Sequence, residues 1–280
     1  MGVVSVSLSS LFIRLVGTAP LKIAFYRTLI ASSVYLLVNI IKDKKIFTKV
    51  NHNSEIIFSG FLLALHFALW ISAFEHTTVA GVVIPLLIQP IIIGLFSWLF
   101  FKESISKKSF ISLAVISFGI LLMNLWDFRI TSSIGFGDLL STVGTIVLCF
   151  YFLFAKKLGK KIGTLRFNFY TYSIASMFLL AFSLIKKLPI KVMMILSLKE
   201  LFFYILLAVI CSFLGYTFIN LSFKHLKAIS VSVGLLGEPL LGMLWAGIFL
   251  GEKLTVPQFF GLVITTTGIL IYFKSKSKIM

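Results

Sequence analysis

Apolar residues in this chain form long runs, separated by short stretches of charged or turn-forming residues. Most runs approach the roughly 20 residues that an α-helix needs to cross a bilayer. The pattern predicts ten spanning helices with loops too short for a soluble catalytic domain. The first run is short, so helix 1 is expected to be truncated or to start upstream of Met1. The runs lie at 2–16, 21–41, 56–74, 79–101, 110–126, 136–155, 167–185, 201–223, 228–250 and 258–273.

The composition strengthens this prediction. Hydrophobic residues make up 59% of the chain and charged residues 12%, whereas a soluble domain carries about 25% charged residues. Too few charges are present to cover a surface that faces water, which excludes a soluble enzyme. The net charge of +17 could indicate nucleic-acid binding, but no basic stretch is interleaved with exposed aromatic residues. Cationic loops at a lipid bilayer explain the charge better, and no nucleic-acid partner is expected.

The basic residues also predict an orientation. With the N-terminus inside, the cytoplasmic loops and tail hold 17 Lys and Arg residues, and the opposite side holds seven. This bias favours both termini in the cytoplasm, with the basic loop at 186–200 as the one dissenting feature. A composition rich in Ile, Lys, Phe and Asn is typical of AT-rich bacterial genomes. We therefore predict a multi-pass protein of the cell inner membrane.

An internal repeat divides the chain. Residues 74–123 align without gaps on 223–272, and 14 of the 50 positions are identical, including His76 with His225 and Glu103 with Glu252. Two five-helix halves, at 1–126 and 136–273, are therefore predicted. Because five is odd, the second half must enter the membrane from the opposite side, as in the inverted repeats of many secondary transporters.

Four sequence stretches carry a resemblance to a known family. They are APLKIAFYR at 19–27, QPIIIGLFSWLFFKE at 89–103, EPLLGMLWAGIFLGEKLT at 238–255 and GLVITTTGILIY at 261–272. In this order and duplicated spacing the chain resembles the EamA-like family of the drug/metabolite transporter superfamily. The resemblance implies an all-α polytopic membrane protein with ten transmembrane helices as two inverted five-helix repeats. It also implies a central cavity, lined mainly by helices 3, 4, 8 and 9, and transport of small metabolites such as amino acids.

Glu238 is the sharpest candidate for a transport residue. It lies near the predicted bilayer midplane, where a carboxylate is costly unless it is paired or hydrated. Pro239 lacks a backbone donor, and Gly234 and Gly237 permit close approach or unwinding, so this stretch predicts an interrupted helix beside a polar cavity. The carboxylate could bind a substrate amine or carry a proton; alternatively, it is a structural group bonded to its neighbours.

Gln89 occupies the repeat position of Glu238 and is followed by Pro90, a second candidate helix break. Here the carboxylate is replaced by a neutral amide. Gln89 could line the cavity, or it could form a hydrogen bond between helices.

Arg27 lies a few residues into helix 2, and its repeat partner is Thr171. Its guanidinium could hold a substrate carboxylate or pair with an acidic residue such as Glu75. From near the membrane boundary it could equally extend to the lipid headgroups.

Two pairs of residues share a helix face at a spacing of four. His66 and Trp70 lie on helix 3, and Tyr216 and Asn220 lie on helix 8, its repeat equivalent. The four side chains could converge on one cavity, or they could serve aromatic packing and hydrogen bonding between helices.

Glu103 and Glu252 end helices 4 and 9 on opposite faces. Their symmetry predicts matched interface roles, such as capping the next helix or pairing with Lys107 or Lys253. Gating is an alternative.

Taken together, these features predict a secondary transporter, with export across the inner membrane by alternating access. Its partners would be the lipid bilayer and a small-molecule substrate, with protons as a candidate coupling ion. No phosphate-binding loop, dinucleotide fingerprint or catalytic hydrolase motif occurs, so neither enzymatic activity, cofactor nor metal is expected. A membrane-embedded enzyme and a non-transporting scaffold are the alternatives.

Overall fold

The computed structural model describes residues 1–42, 52–103, 107–127 and 132–277, and all regular structure within these ranges is helical. We number the helices by the apolar runs they correspond to. They are α1 (Gly2–Val16), α2 (Pro20–Lys42), α3 (Asn53–Ala73), α4 (Val79–Phe101), α5 (Lys107–Asp127), α6 (Ser132–Ile162), α7 (Thr164–Ile185), α8 (Leu198–His225), α9 (Ala228–Leu250) and α10 (Val256–Ser277). A short helix, Ile190–Met194, lies between α7 and α8.

Eight of these helices are long and apolar enough to cross a membrane. The two shorter apolar helices are Gly2–Val16 and, within α5, Phe110–Met123. At 1.5 Å per residue, the 15 residues of α1 reach only about 22 Å, less than the roughly 30 Å of a hydrocarbon core. Eight candidate spans are thus present in the described part of the chain, and the count of ten membrane-spanning helices stays a prediction.

Where Lys and Arg follow an apolar run, the helix continues into the segment predicted to be a loop. The predicted loop at 156–166 is helical up to Ile162, and Gly163 alone joins α6 to α7. Basic side chains are favourable in the last turn of a helix because they face its negative end, so the helix continues beyond its apolar part. The reversal needs a left-handed residue, and Gly163 supplies it with φ of 83°.

Helices of the two halves interleave. α2 packs against α7, α3 against α6, and α1 against α8 and α9. Each contact has a counterpart when the halves are exchanged: α1 contacts α8 as α6 contacts α3, and α1 contacts α9 as α6 contacts α4. The internal repeat is therefore visible in the packing as well as in the sequence.

α5 and α10 pack mainly against each other, at the edge of this arrangement. Glycines allow the close crossing: a Cβ at Gly119 would lie 2.8 Å from the carbonyl oxygen of Gly261, and one at Gly268 would lie 2.7 Å from Ile116 Cγ1. The remaining eight helices surround the buried polar residues described below.

α4 and α9 are both irregular near their centres. In α4 the segment Ile84–Ile88 is a 3₁₀-helix with Pro85 in its first turn, and Pro90 lies in the first turn of the α-helical segment that follows. In α9 the α-helix Ala228–Leu235 stops before Leu236 and resumes at Gly237, just before Glu238 and Pro239. The two interruptions coincide in the repeat, since Pro85 aligns with Gly234 and Gln89 with Glu238.

Candidate functional site

Arg27 lies in the interior of the bundle. Its side chain is 1% exposed, about 10 Å along α2 from Pro20, so it does not extend to a lipid surface. Nε donates a hydrogen bond to Ser212 Oγ at 2.7 Å, and the guanidinium lies 4.4 Å from the centroid of the Phe67 ring. Nη1 is buried without a partner among the described residues. A fixed guanidinium therefore has donor capacity left for an anionic group.

Glu238 lies in the first turn after the interruption of α9 and keeps part of its surface accessible. Within the described residues, no hydrogen bond or ion pair reaches its carboxylate. The charge of Arg27 acts on it electrostatically, but the two side chains are not in salt-bridge contact. Neighbouring Gly237 faces α1, where a Cβ would come within 2.9 Å of Val3 Cγ1. α1 thus closes one side of the Glu238 site.

Tyr216 connects these two charges. It ends the π-helical segment Leu207–Tyr216 of α8 and is 5% exposed. Both Arg27 and Glu238 act on it electrostatically, and its ring lies 6.0 Å from that of Phe67. π-helical segments often occur at functional sites because they change the register of side chains along a helix. The Phe67 ring therefore lies next to both the Arg27 guanidinium and the Tyr216 ring.

His66 and Trp70 lie at the interface of α3 and α6. His66 Nδ1 is 2.9 Å from the carbonyl oxygen of Gly144, so this nitrogen is the donor in that pair. The two rings stack at 6.0 Å between centroids, and Trp70 Nε1 is buried without a partner among the described residues. Gly144 allows the contact, since a Cβ there would lie 3.3 Å from Trp70 N. His66 thus bonds one helix to another, while Trp70 keeps an unused donor.

Asn220 belongs to a buried hydrogen-bond network between helices. Its Nδ2 donates to Tyr151 OH at 2.9 Å and to Asn168 Oδ1 at 2.8 Å. Asn168 Nδ2 in turn donates to Tyr35 OH at 3.0 Å, and Tyr35 OH contacts Thr217 Oγ1 at 3.0 Å. These bonds occupy the amide nitrogen of Asn220, whereas its Oδ1 is buried without a partner among the described residues. Sequence reasoning missed Tyr35 and Asn168, although polar residues inside apolar runs were the available signal.

Gln89 is 1% exposed, and its Oε1 has no partner among the residues that the structure describes. It begins the α-helix Gln89–Phe101 after the 3₁₀ segment of α4. Glu75, the suggested partner of Arg27, is instead exposed in the turn after α3. Arg27 and Tyr216 therefore both lie next to Phe67, and Glu238 is within electrostatic range of them. His66 and Asn220 form hydrogen bonds between helices, whereas Gln89 and Trp70 each keep a buried polar atom without a partner among the described residues.

The comparisons with known proteins agree with this architecture. The model of the EamA-like transporter family matches twice, over residues 1–125 and 135–274. This chain belongs to the EamA-like transporter family. A solved structure described only as "Crystal structure of protein" shares the fold, with a TM-score of 0.78 at 11% identity over 97% of this chain and 94% of that chain. A comparison with curated proteins finds no match. As a family member, the chain is a multi-pass membrane protein of the drug/metabolite transporter superfamily.

Proposed function

We propose that this member of the EamA-like family is a secondary transporter that exports amino acids or related amine-bearing metabolites by alternating access. The observation that carries the proposal is the arrangement of Arg27 and Glu238. These opposite charges lie within electrostatic range of each other, each with unused hydrogen-bonding capacity, and they are not paired with each other.

A zwitterion would satisfy both groups. Its ammonium would bind the accessible Glu238 carboxylate, and its carboxylate would accept from Arg27 Nη1, because charge-assisted hydrogen bonds are strong where water is scarce. The Phe67 ring lies against Arg27 and near the Tyr216 ring, and both rings offer apolar and cation–π contact. Since isolated charges are costly within a membrane, substrate binding would relieve part of that cost.

Protons are a second candidate partner for the same carboxylate. An intramembrane glutamate that is open to water is a common carrier of coupling protons. If coupling occurs, binding of a substrate ammonium and of a proton at Glu238 would exclude each other. Export would then follow from proton entry.

The test is a panel of candidate ligands in sets of three. Each set consists of an amino acid, the amine formed by its decarboxylation and the acid formed by its deamination. Purified protein is heated with each compound, and the same compounds compete in counterflow with a radiolabelled amino acid. Ligand at a hundredfold excess over its dissociation constant stabilises a protein by about 2.7 kcal/mol. We expect stabilisation by the amino acid, weaker stabilisation by the amine, and none by the acid.

Two variants assign the contacts. In Glu238→Gln, the amino acid should stabilise the protein no more than the deaminated acid does. In Arg27→Gln, the amino acid should stabilise the protein no more than the amine does. Arg27→Lys keeps the charge but loses the fixed planar geometry, so it serves as the matched control. Stabilisation by all three compounds that is unchanged in both variants would place the substrate elsewhere and contradict the proposal.

Direction and orientation are part of the proposal. The excess of basic residues on one side supports cytoplasmic termini in the inner membrane. Protease removal of a C-terminal tag in spheroplasts tests this, because a periplasmic tag is then cleaved and a cytoplasmic tag survives until the inner membrane is opened. Efflux from preloaded cells then tests the direction.

A further inference from the structure

Two helix ends in opposite halves carry the same local structure. Lys102 after α4 and Gly251 after α9 both adopt left-handed backbone conformations, with φ of 52° and 69°. Glu103 N then bonds to Ser97 O, and Glu252 N bonds to Ala246 O. All three pairs of residues align in the repeat. A left-handed lysine is less favourable than a left-handed glycine, so contacts around Lys102 must stabilise this turn.

Each glutamate binds the beginning of the helix that is equivalent to its own. Glu103 Oε2 accepts from Ala228 N at 2.8 Å, at the start of α9. Glu252 accepts from Val79 N with both carboxylate oxygens, at 3.1 and 3.3 Å, at the start of α4. Ala228 and Val79 also align in the repeat. Each half therefore closes on the other through one carboxylate at each end of the bundle.

At each end of the bundle, a basic side chain from a third helix donates to a backbone carbonyl oxygen near the same contact. Lys156 of α6 donates to Leu226 O at 2.7 Å, and Arg14 of α1 donates to Thr77 O. Leu226 and Thr77 are repeat equivalents. We define the Glu103 latch as Glu103, Lys156, Leu226 and Ala228, and the Glu252 latch as Glu252, Arg14, Thr77 and Val79.

The cations of the two latches make different further contacts. Arg14 Nη1 donates a second hydrogen bond, to Phe74 O at 2.7 Å. Lys156 Nζ also lies 2.7 Å from Glu103 Oε1, in an ion pair whose side chains are 5% and 14% exposed. Within the described residues, no ion pair to Glu252 exists. Cavities lie near both latches: one of about 290 Å³ beside Glu252, lined in part by Thr77 and Met243, and one of about 490 Å³ lined in part by Phe101 and Lys157. The Glu103 latch is therefore distinguished by its carboxylate–ammonium ion pair.

We propose that the two latches are the alternating gates of this transporter, and that in the substrate-free protein the Glu103 gate is closed more tightly than the Glu252 gate. The proposal rests on the alternating access of the proposed function. Opening toward one face breaks the carboxylate–backbone bond at that face and keeps the bond at the other. The ion pair between Lys156 and Glu103 biases the resting population toward access from the Glu252 face.

Thiol labelling tests this without substrate. Cys149 and Cys211 are buried and free, so both are replaced by Ala, and one probe is introduced as Ala228→Cys or Val79→Cys. Both probe positions are fully buried and equivalent in the repeat. A water-soluble maleimide is then applied to detergent-purified protein, and the labelling rate at each probe is measured.

Glu103→Gln should raise the labelling rate at Ala228→Cys about tenfold and lower it at Val79→Cys, because a charged hydrogen bond that favours one state is lost. Lys156→Gln should act in the same direction. Glu252→Gln should have the opposite effect, and a smaller one, since no ion pair is lost. The matched control is Lys157→Gln, which removes the neighbouring ion pair with Glu55 at the same end of α6.

Unchanged labelling in Glu103→Gln relative to Lys157→Gln would overturn the proposal. Equal increases at both probes would also overturn it, because they would show general loosening rather than alternation. The outcome is independent of the ligand panel: loss of all ligand binding would refute the substrate assignment and leave the gate measurement valid.

Discussion

The two halves of the molecule are interrupted at equivalent places near their centres but carry different polar groups there. Each has an interrupted helix at the equivalent place, followed by Gln89 in one half and Glu238 in the other. Gln89 is fully enclosed, whereas Glu238 keeps accessible surface and lies within the electrostatic reach of Arg27. Duplication thus supplied two similar frames, and only one of them presents a charged group to the centre.

The largest effect is expected from Gln89→Glu, which removes the asymmetry by giving both halves a carboxylate. The site is 1% exposed and no cation is seen beside it among the described side chains. An uncompensated buried charge costs about 3 kcal/mol of stability. We expect a lower midpoint of thermal unfolding in detergent. Gln89→Met, of similar size and uncharged, is the control; an equal loss there would assign the effect to packing instead of charge.

The converse change, Glu238→Gln, makes both halves neutral. Truncating one partner of a desolvated charge contact costs at least about 2 kcal/mol, or a factor of roughly 30. We expect transport into proteoliposomes to fall by that factor while expression and unfolding temperature hold. Glu75→Gln makes the same chemical change on an exposed turn and should transport normally. Full activity of Glu238→Gln would show that the central asymmetry is not functional.

α5 and α10 are equivalent helices of the two halves and pack directly against each other. Gly119→Ala places a Cβ 2.8 Å from Gly261 O, which should destabilise the protein by about 1.5 kcal/mol through forced backbone separation. Gly159→Ala, whose Cβ would meet only Thr164 Oγ1 at 3.6 Å, should be neutral or slightly stabilising. The midpoints of thermal unfolding of the two variants show whether the loss in Gly119→Ala comes from the close helix crossing or from a general effect of replacing glycine in a helix.

The smallest predicted difference concerns Glu55 and Glu200, which begin equivalent helices. Glu200 pairs with Lys22 at 2.6 Å and Glu55 with Lys157 at 3.2 Å, and the lysines are 4% and 46% exposed. Lys22→Gln should therefore lower the free energy of unfolding by about 1 kcal/mol, because its buried bonds to Glu200 and Ile195 O are lost. Lys157→Gln should cost less than about 0.5 kcal/mol. Equal effects would contradict the dependence on burial.

Much of the architecture was predictable from the apolar pattern. The predicted runs at 79–101 and 228–250 coincide with α4 and α9. The family assignment is likewise confirmed. Helix ends were less predictable where Lys156 and Lys157 extend α6 past its apolar part, because hydropathy marks a membrane boundary and not a hydrogen-bonding boundary.

The site was only partly predictable. Arg27 and Glu238 were notable because charges are rare in apolar runs, but nothing local showed that they share a site. Asn220 and His66 looked equally suited to a cavity, and their partners proved to be Asn168, Tyr151 and the Gly144 carbonyl. A spacing of four residues shows only that two side chains share a helix face. Which helix packs against that face is determined by residues far away in the sequence.

Sequence by itself determined the class of protein, the family, the two repeats and the expected side of the basic loops, because hydropathy, charge and self-similarity are properties of neighbouring residues. The tertiary structure decided which polar groups are satisfied and which are left for a ligand. Arg27 meets Ser212 across 185 positions and Glu103 meets Ala228 across 125. Such partners are chosen by the packing of distant helices, where an enclosed polar group must find a hydrogen bond within reach.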